Sequence, residues 1–360
     1  MEQFSCTTQI ISGPGAVSHL ATLGIKRLLV VADPFFFESG TARRIAEGSG
    51  SEAIEYFHKV TPDPSAQLAA EGTAVVQSFN PDTIVALGGG SAMDCAKAMA
   101  YFSGTKVRLV AIPTTSGSGS EVTDFAILTH GGVKHPLVDP RLRPDMAILD
   151  SELLTQLPPA LIADGGFDVL THALEAYTAK NAASITDALA TDAFQKTFRL
   201  LPRSFHGDRA ARPGVHMAAT MAGMAFTQAG LGVCHAMAHS LGGAFHIPHG
   251  RLNAILLPAV IDCNASAAGA KYAALAQAIG LESRAVSVGV RNLRGALVRL
   301  RRELSLPGTL AEAGVSAAQL RQNADTIVKA ALDDPCCQTN PVPVTEGMVR
   351  RILSEVTGHG

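Results

Sequence analysis

Residues 83–87, Thr-Ile-Val-Ala-Leu, run without a break into Gly88-Gly89-Gly90-Ser91, and no other stretch limits the fold of this chain more. A short apolar run without polar alternation is a strand covered on both faces, which belongs in a parallel sheet flanked by helices. Leu28-Leu29-Val30-Val31-Ala32 has the same character and ends at Asp33-Pro34. Further strands are predicted over 4–11, 53–60, 107–112 and 147–149, with a helix near 38–48 and a hairpin formed by Phe125–Thr129 and Val133–Val138. From Ser151 onward the β-type runs nearly vanish. Amphipathic helices are predicted near 159–179, 186–203, 214–228, 234–244, 251–263, 269–279, 285–304, 316–332 and 345–356. The expected organisation is an N-terminal α/β dinucleotide-binding domain over 1–157, with a Rossmann-like parallel sheet, and an all-helical metal-binding and catalytic domain over 158–360. Leu157-Pro158-Pro159 marks the boundary.

Of the 360 residues 47% are hydrophobic and 17% charged, enough to bury a large core and too apolar for disorder. The formal net charge of -2, without a basic block, gives no nucleic-acid or acidic-membrane surface. Apolar runs fall short of the ~20 residues of a membrane span. The six cysteines form no CxxC pair and read as reduced thiols. Met1–Ser5 lacks a signal layout, so a cytoplasmic protein is expected.

Four of the 12 histidines fall between positions 235 and 249, in His235-Ala-Met-Ala-His239-Ser-Leu-Gly-Gly-Ala-Phe-His246-Ile-Pro-His249-Gly250. His235 and His239 share a helix face, as do Asp168 and His172 upstream. Gly242-Gly243 is expected to end the helix, leaving His249 on a loop stiffened by Pro248. A carboxylate and several imidazoles suit one divalent ion with a position open for substrate.

The other constellations lie in the α/β half. Gly88–Ser91 at a strand-to-helix junction can bring backbone N–H groups to a phosphate, aided by the helix N-terminus. Pro113-Thr114-Thr115-Ser116-Gly117-Ser118-Gly119-Ser120-Glu121 follows the next strand with hydroxyls suited to phosphate, ribose or carboxamide. Asp33 either accepts from a ribose diol or caps the following helix. Asp94 and Lys97 read as local packing partners. A ligand in a cleft between the two domains would meet phosphate contacts on one side and a metal on the other.

Taken in order, these motifs resemble those of the iron-containing (group III) alcohol dehydrogenases, which have a dehydroquinate synthase-like fold. The resemblance covers residues 4–356 and adds Glu175-Ala-Tyr177 and Ala222-Gly223-Met224-Ala225-Phe226 to the stretches above. Within the family, Gly88-Gly-Gly-Ser-Ala-Met-Asp94 and Leu231–His239 are most similar to the small-aldehyde members, the 1-propanol and ethanol dehydrogenases linked to bacterial microcompartments. The resemblance implies Asp168, His172, His235 and His249 as ligands of Fe²⁺, or of Zn²⁺, with His239 near the nicotinamide as a proton relay. It implies NAD contacts at Asp33, Gly88, Gly89, Gly90, Ser91, Thr114, Thr115, Ser118, Thr123 and Lys134, and NAD over NADP because Asp33 would repel a 2′-phosphate. The implied reaction reduces propionaldehyde or acetaldehyde to 1-propanol or ethanol. The implied state is a homodimer or larger homo-oligomer in the cytoplasm or inside a microcompartment, with shell or lumen enzymes as neighbours. A glycerol dehydrogenase-like polyol oxidoreductase, or another member of the same superfold, is the alternative. Two positions depart from common family members: Asp63 where many carry Asn, and Ser118 where many carry Thr. His246 is extra and reads as a bystander lining the pocket.

Overall fold

In the computed structural model, which describes residues 2–131 and 133–358, the apolar runs form strands whose two faces are both covered. The α/β unit takes in Ser5–Leu157. Its elements are β1 (Gln9–Ser12), β2 (Arg27–Ala32), α1 (Pro34–Glu38), α2 (Thr41–Gly48), β3 (Ala53–Phe57), α3 (Ala66–Phe79), β4 (Thr83–Gly88), α4 (Gly90–Ser103), β5 (Arg108–Pro113), β6 (Phe125–His130), β7 (Val133–Val138) and β8 (Met146–Leu149). Six strands form a parallel sheet in the order β1-β8-β5-β4-β2-β3, and β6 and β7 pair antiparallel as a separate hairpin. Gly132, expected in the hairpin turn, lies outside the described residues.

Alternation along the strands sorts the core into two layers. Leu28, Val30, Ala32, Val85, Leu87, Val110 and Ile112 pack with Leu20, Ala42 and Ile45. Leu29, Val31, Ile84, Ala86, Leu109 and Ala111 pack with Val76 of α3 and Met93, Cys95 and Met99 of α4. Each fully buried Leu, Ile or Val contributes on the order of 1.5–3 kcal/mol. The chain leaves β2 to one side through β3 and returns on the other side with β4, so the strand order reverses between β2 and β4. Register sets Ala32 opposite Leu87, Leu87 opposite Ile112 and Gly88 opposite Pro113. The carboxyl ends of β2, β4 and β5 therefore deliver Asp33, the glycine run and the hydroxyl-rich loop to one edge, where open α/β sheets bind ligands.

The helical unit begins at Pro158 and also takes in the N-terminal residues through Phe4, where Glu2 accepts the backbone N–H of Ser184 at 3.1 Å. It contains α5 (Pro159–Thr178), α6 (Ser184–Phe205), α7 (Arg212–Ala229), α8 (Val233–Phe245), α9 (His249–Ala278), α10 (Val286–Glu303), α11 (Ala317–Asp333) and α12 (Glu346–Val356). Helix α5 packs on α6, α7 and α9, while α8 packs on α9 and α11.

Three sequence expectations change here. Helix α8 runs through Gly242-Gly243 to Phe245, and His246, which is exposed, supplies the left-handed cap at φ 55°. His249 is the first residue of α9, not a loop residue, because Pro248 at the N-cap presets the backbone for a helix start. The two helices expected over 251–279 are one. Asn264, which falls in the gap between the two expected ranges, is buried inside α9 with its side chain bonded to Asn340 at 2.9 and 3.0 Å. At 30 residues α9 is long and apolar enough to cross a membrane, but 72% of its most apolar window is buried within the protein, as in a core helix.

Candidate active site

Helix α5 presents Asp168, His172 and Glu175 on one face, at i, i+4 and i+7. Helix α8 presents His235 and His239, and the first turns of α9 present His249 and Asn253. Close approach of α9 to α5 depends on Gly250, where a Cβ would overlap the backbone carbonyl of Asp164 and stand 3.2 Å from Asp168 Cβ. Arg251 reinforces the junction with two hydrogen bonds to Asp164, at 3.0 and 3.2 Å.

These helices bring an Asp168 oxygen, a His235 nitrogen and a His249 nitrogen within 4.8 Å of one another. Asp168 Oδ1 lies 3.5 Å from His249 Nε2, 3.7 Å from His235 Nε2 and 3.8 Å from His172 Nδ1. Those gaps are too long for hydrogen bonds. They match the roughly 3.4 Å between ligand atoms that bonds of about 2.1 Å impose around a tetrahedral ion. One hard oxygen with imidazole nitrogens is also a donor set for iron or zinc, so the residues fit such an ion. The His172 ring is stacked between Phe226 and His235, with centroids 4.4 Å away on each side.

The electrostatics follow from crowding. Burial works to raise the Asp168 carboxyl, but His172, His249 and His235 outweigh it and hold it below the usual carboxylate range. Burial works to lower His235, but Asp168 and Glu175 raise it to about 9. Burial drives His249 well below its ordinary value.

Sequence reasoning assigned no role to four residues around this group. Glu175 lies against His235, with Oε2 2.6 Å from Nδ1. Asn253 donates to Asp168 Oδ1 at 2.8 Å. Asp334 Oδ2 lies 2.8 Å from His239 Nδ1, and Cys336 completes a second cluster with those two. Helical spacing from His172 and His249 signals Glu175 and Asn253. Nothing in the sequence ties Asp334 to a histidine 95 positions away. Cys234, next to His235, is buried with its thiol 3.8 Å from Asn253 Oδ1.

In the α/β unit the sequence-assigned residues gather at the sheet edge. A Cβ on Gly88 would stand 3.8 Å from Asp33 Oδ2, one on Gly89 3.2 Å from Thr115 Oγ1, and one on Gly90 3.3 Å from Ser118 Oγ. Thr114 N donates to Gly88 O at 2.9 Å. Asp33 sits at the N-cap of α1 but makes no capping hydrogen bond with its side chain, and burial raises its carboxyl. Ser91 Oγ accepts from Asp63 N at 3.3 Å, and Asp63 pairs with Lys134 at 2.6 Å. Asp63 thus meets Lys134 through a carboxylate. Thr123 is fully buried, its hydroxyl bonded to Lys97 Nζ at 2.8 Å, so it braces the loop from within. Lys97 and Asp94 are more than local partners. Lys97 also reaches Ser120 Oγ and Phe125 O, at 3.0 and 2.8 Å, and Asp94 Oδ1 accepts from Ser120 at 3.0 Å.

The chain matches two family models, "Iron-containing alcohol dehydrogenase" over residues 7–151 and "Fe-containing alcohol dehydrogenase family, C-terminal" over 162–357. It is 41% identical to the 1-propanol dehydrogenase PduQ of Citrobacter freundii, over 99% of this chain and 100% of that protein. Its fold superposes on the iron-containing alcohol dehydrogenase of Thermococcus thioreducens with a TM-score of 0.92 at 33% identity, covering 99% of this chain and 100% of that one. On sulfoacetaldehyde reductase from Bifidobacterium kashiwanohense in complex with NAD+ the TM-score is 0.89 at 26% identity, with 100% of both chains covered. A shared fold, matches across both halves and full-length identity to such relatives make one conclusion: the chain belongs to the iron-containing alcohol dehydrogenase family.

Proposed function

We propose that this protein is a metal-dependent alcohol dehydrogenase that interconverts a small primary alcohol and its aldehyde with NAD(H), with propionaldehyde or acetaldehyde as the aldehyde. The observation that carries the reading is the convergence of Asp168, His235 and His249 from three helices, beside His172, in a chain of this family. Asp168 would give the ion a carboxylate oxygen, and His172, His235 and His249 would give it imidazole nitrogens. Bound Fe²⁺ or Zn²⁺ supplies a Lewis-acid charge at the substrate oxygen, and bound NAD(H) supplies or accepts the hydride.

The remaining work falls to the chain's own groups. His239, with Nδ1 on Asp334, is left with Nε2 to take a proton from the alcohol or return one to the alkoxide, directly or through water. Asp33 accepts from ribose hydroxyls and disfavours a 2′-phosphate. Backbone N–H groups of Gly88–Ser91 receive the pyrophosphate at the start of α4. Thr114, Thr115, Ser118 and Lys134 add hydrogen bonds, and Thr123 keeps their loop in shape. The likeness to the 1-propanol dehydrogenase PduQ supports association with a bacterial microcompartment; a homodimer or larger homo-oligomer belongs to the same proposal and is read from size-exclusion chromatography with light scattering.

Anaerobic purification, metal analysis and a substrate panel test the reading. The expected result is about one equivalent of iron or zinc per chain and loss of NADH absorbance with propionaldehyde or acetaldehyde. Oxidation of glycerol with no reduction of either aldehyde would move the protein to the glycerol dehydrogenase-like alternative.

A further inference from the structure

The carboxylate of Glu175 is almost completely buried, and its hydrogen bonds among the described residues lead to the start of α8. Oε2 accepts from Gly232 N at 2.9 Å and Oε1 from Cys234 N at 2.8 Å. Oε2 also lies 2.6 Å from His235 Nδ1 and 3.4 Å from His235 N. The remaining N–H of the first turn, Val233 N, goes to Asn340 Oδ1 at 3.1 Å. A helix leaves its first N–H groups without partners inside the helix. Here side chains from α5 and from the segment after α11 satisfy them, and the helix dipole favours a negative group at that end. Gly232, at the N-cap, allows the approach: a Cβ there would stand 2.6 Å from Glu175 Oε1 and 2.8 Å from Asn340 Oδ1.

The same carboxylate decides how His235 is protonated. A carboxylate can only accept, so the nitrogen facing it carries the proton. In a neutral imidazole the other nitrogen, Nε2, then holds the lone pair, and Nε2 is the atom that faces Asp168. We propose that Glu175 is a positioning residue that fixes His235 as its Nδ1–H tautomer, aims Nε2 at the ion, and locks the helix carrying His235 in place.

This inference rests on His235 being a ligand, and the test separates the two. Zinc affinity is measured by chelator competition on the full chain for wild type, Glu175→Gln and His235→Ala. Glu175→Gln keeps the shape but offers only one acceptor oxygen. A loss of about 10- to 100-fold in affinity is expected, the range for residues that orient metal ligands, with a larger loss for His235→Ala. Wild-type affinity in Glu175→Gln alongside weakened His235→Ala would overturn the positioning role. Wild-type affinity in His235→Ala would overturn the ligand reading itself. If Glu175→Gln does not fold, ¹⁵N-histidine NMR of the zinc-loaded wild type decides. The expected signature is a slowly exchanging Nδ1 proton on His235 with Nε2 bound to zinc, and zinc on Nδ1 would overturn the proposal.

Discussion

His239 Nδ1 and Asp334 Oδ2 lie 2.8 Å apart, the one on α8 and the other just past the end of α11. Asp334 is itself fixed, because its Oδ1 accepts from Cys336 N at 2.8 Å. This arrangement holds the His239 ring and its tautomer as a buried carboxylate does for a general base. His239→Ala is expected to lower turnover roughly 10²- to 10⁴-fold while the metal content stays at the wild-type level. Asp334→Asn is expected to act in the same direction by a smaller factor, and the double variant to be no worse than His239→Ala alone. Loss of metal from His239→Ala would make it a ligand instead, and additive effects in the double variant would separate the two residues.

His249→Ala removes a nitrogen 3.5 Å from Asp168 Oδ1. Metal stoichiometry is expected to fall to a small fraction of wild type and turnover by several orders of magnitude, with helical circular dichroism retained. A metal-replete, fully active variant would remove His249 from the ligand set.

Gly250→Ala tests the packing that places this histidine. A Cβ there would overlap the Asp164 carbonyl, so α9 must shift away from α5. Overpacking of this kind costs about 1–3 kcal/mol, and more where backbone must move. Lower stability and weaker metal binding are expected together in denaturation and metal-titration curves. An unchanged melting temperature would show that the junction yields freely.

If Asp33 selects against a 2′-phosphate as proposed, Asp33→Gly raises the ratio of NADP-linked to NAD-linked activity by roughly tenfold or more, because it removes the carboxylate that would repel that phosphate. Steady-state kinetics with both cofactors measure the ratio. No change would take Asp33 out of cofactor selection.

Asp94 gives the pH dependence of the α/β unit. Burial pushes its carboxyl from 3.8 up to about 6, against the pull of Lys97. The folded state therefore holds more protons than the unfolded chain between those values. This contribution is fully present below pH 3.8 and is lost as pH rises through 6. Burial lowers Lys97 from 10.5 to about 8, so its contribution runs the other way, present above pH 10.5 and lost as pH falls through 8. Asp94→Asn should remove the acid-side slope, at most about 1.4 kcal/mol per pH unit for one proton. Chemical denaturation of both proteins at pH 4.5 and 7 checks it, and an unchanged difference between them would exclude Asp94 as the titrating group.

What the sequence determined by itself was periodic or local. Uniformly apolar runs at 28–32 and 83–87 specify strands covered on both faces, and their spacing by helices specifies a parallel sheet. The glycine run of 88–90 and the hydroxyls of 114–120 were legible because each directly follows a strand end. The i,i+4 pairs at 168/172 and 235/239 were legible because a helix converts spacing into a shared face. Tertiary structure alone decided which face meets which. It drew Asp334 to His239, Glu175 to the start of α8, and Lys97 to Thr123. It also made one helix of 249–278 where two were expected, with Asn264 buried inside it and bonded to Asn340. The physical reason is the same throughout: periodicity is carried by neighbours along the chain, whereas a buried polar group takes whatever partner packing brings to it.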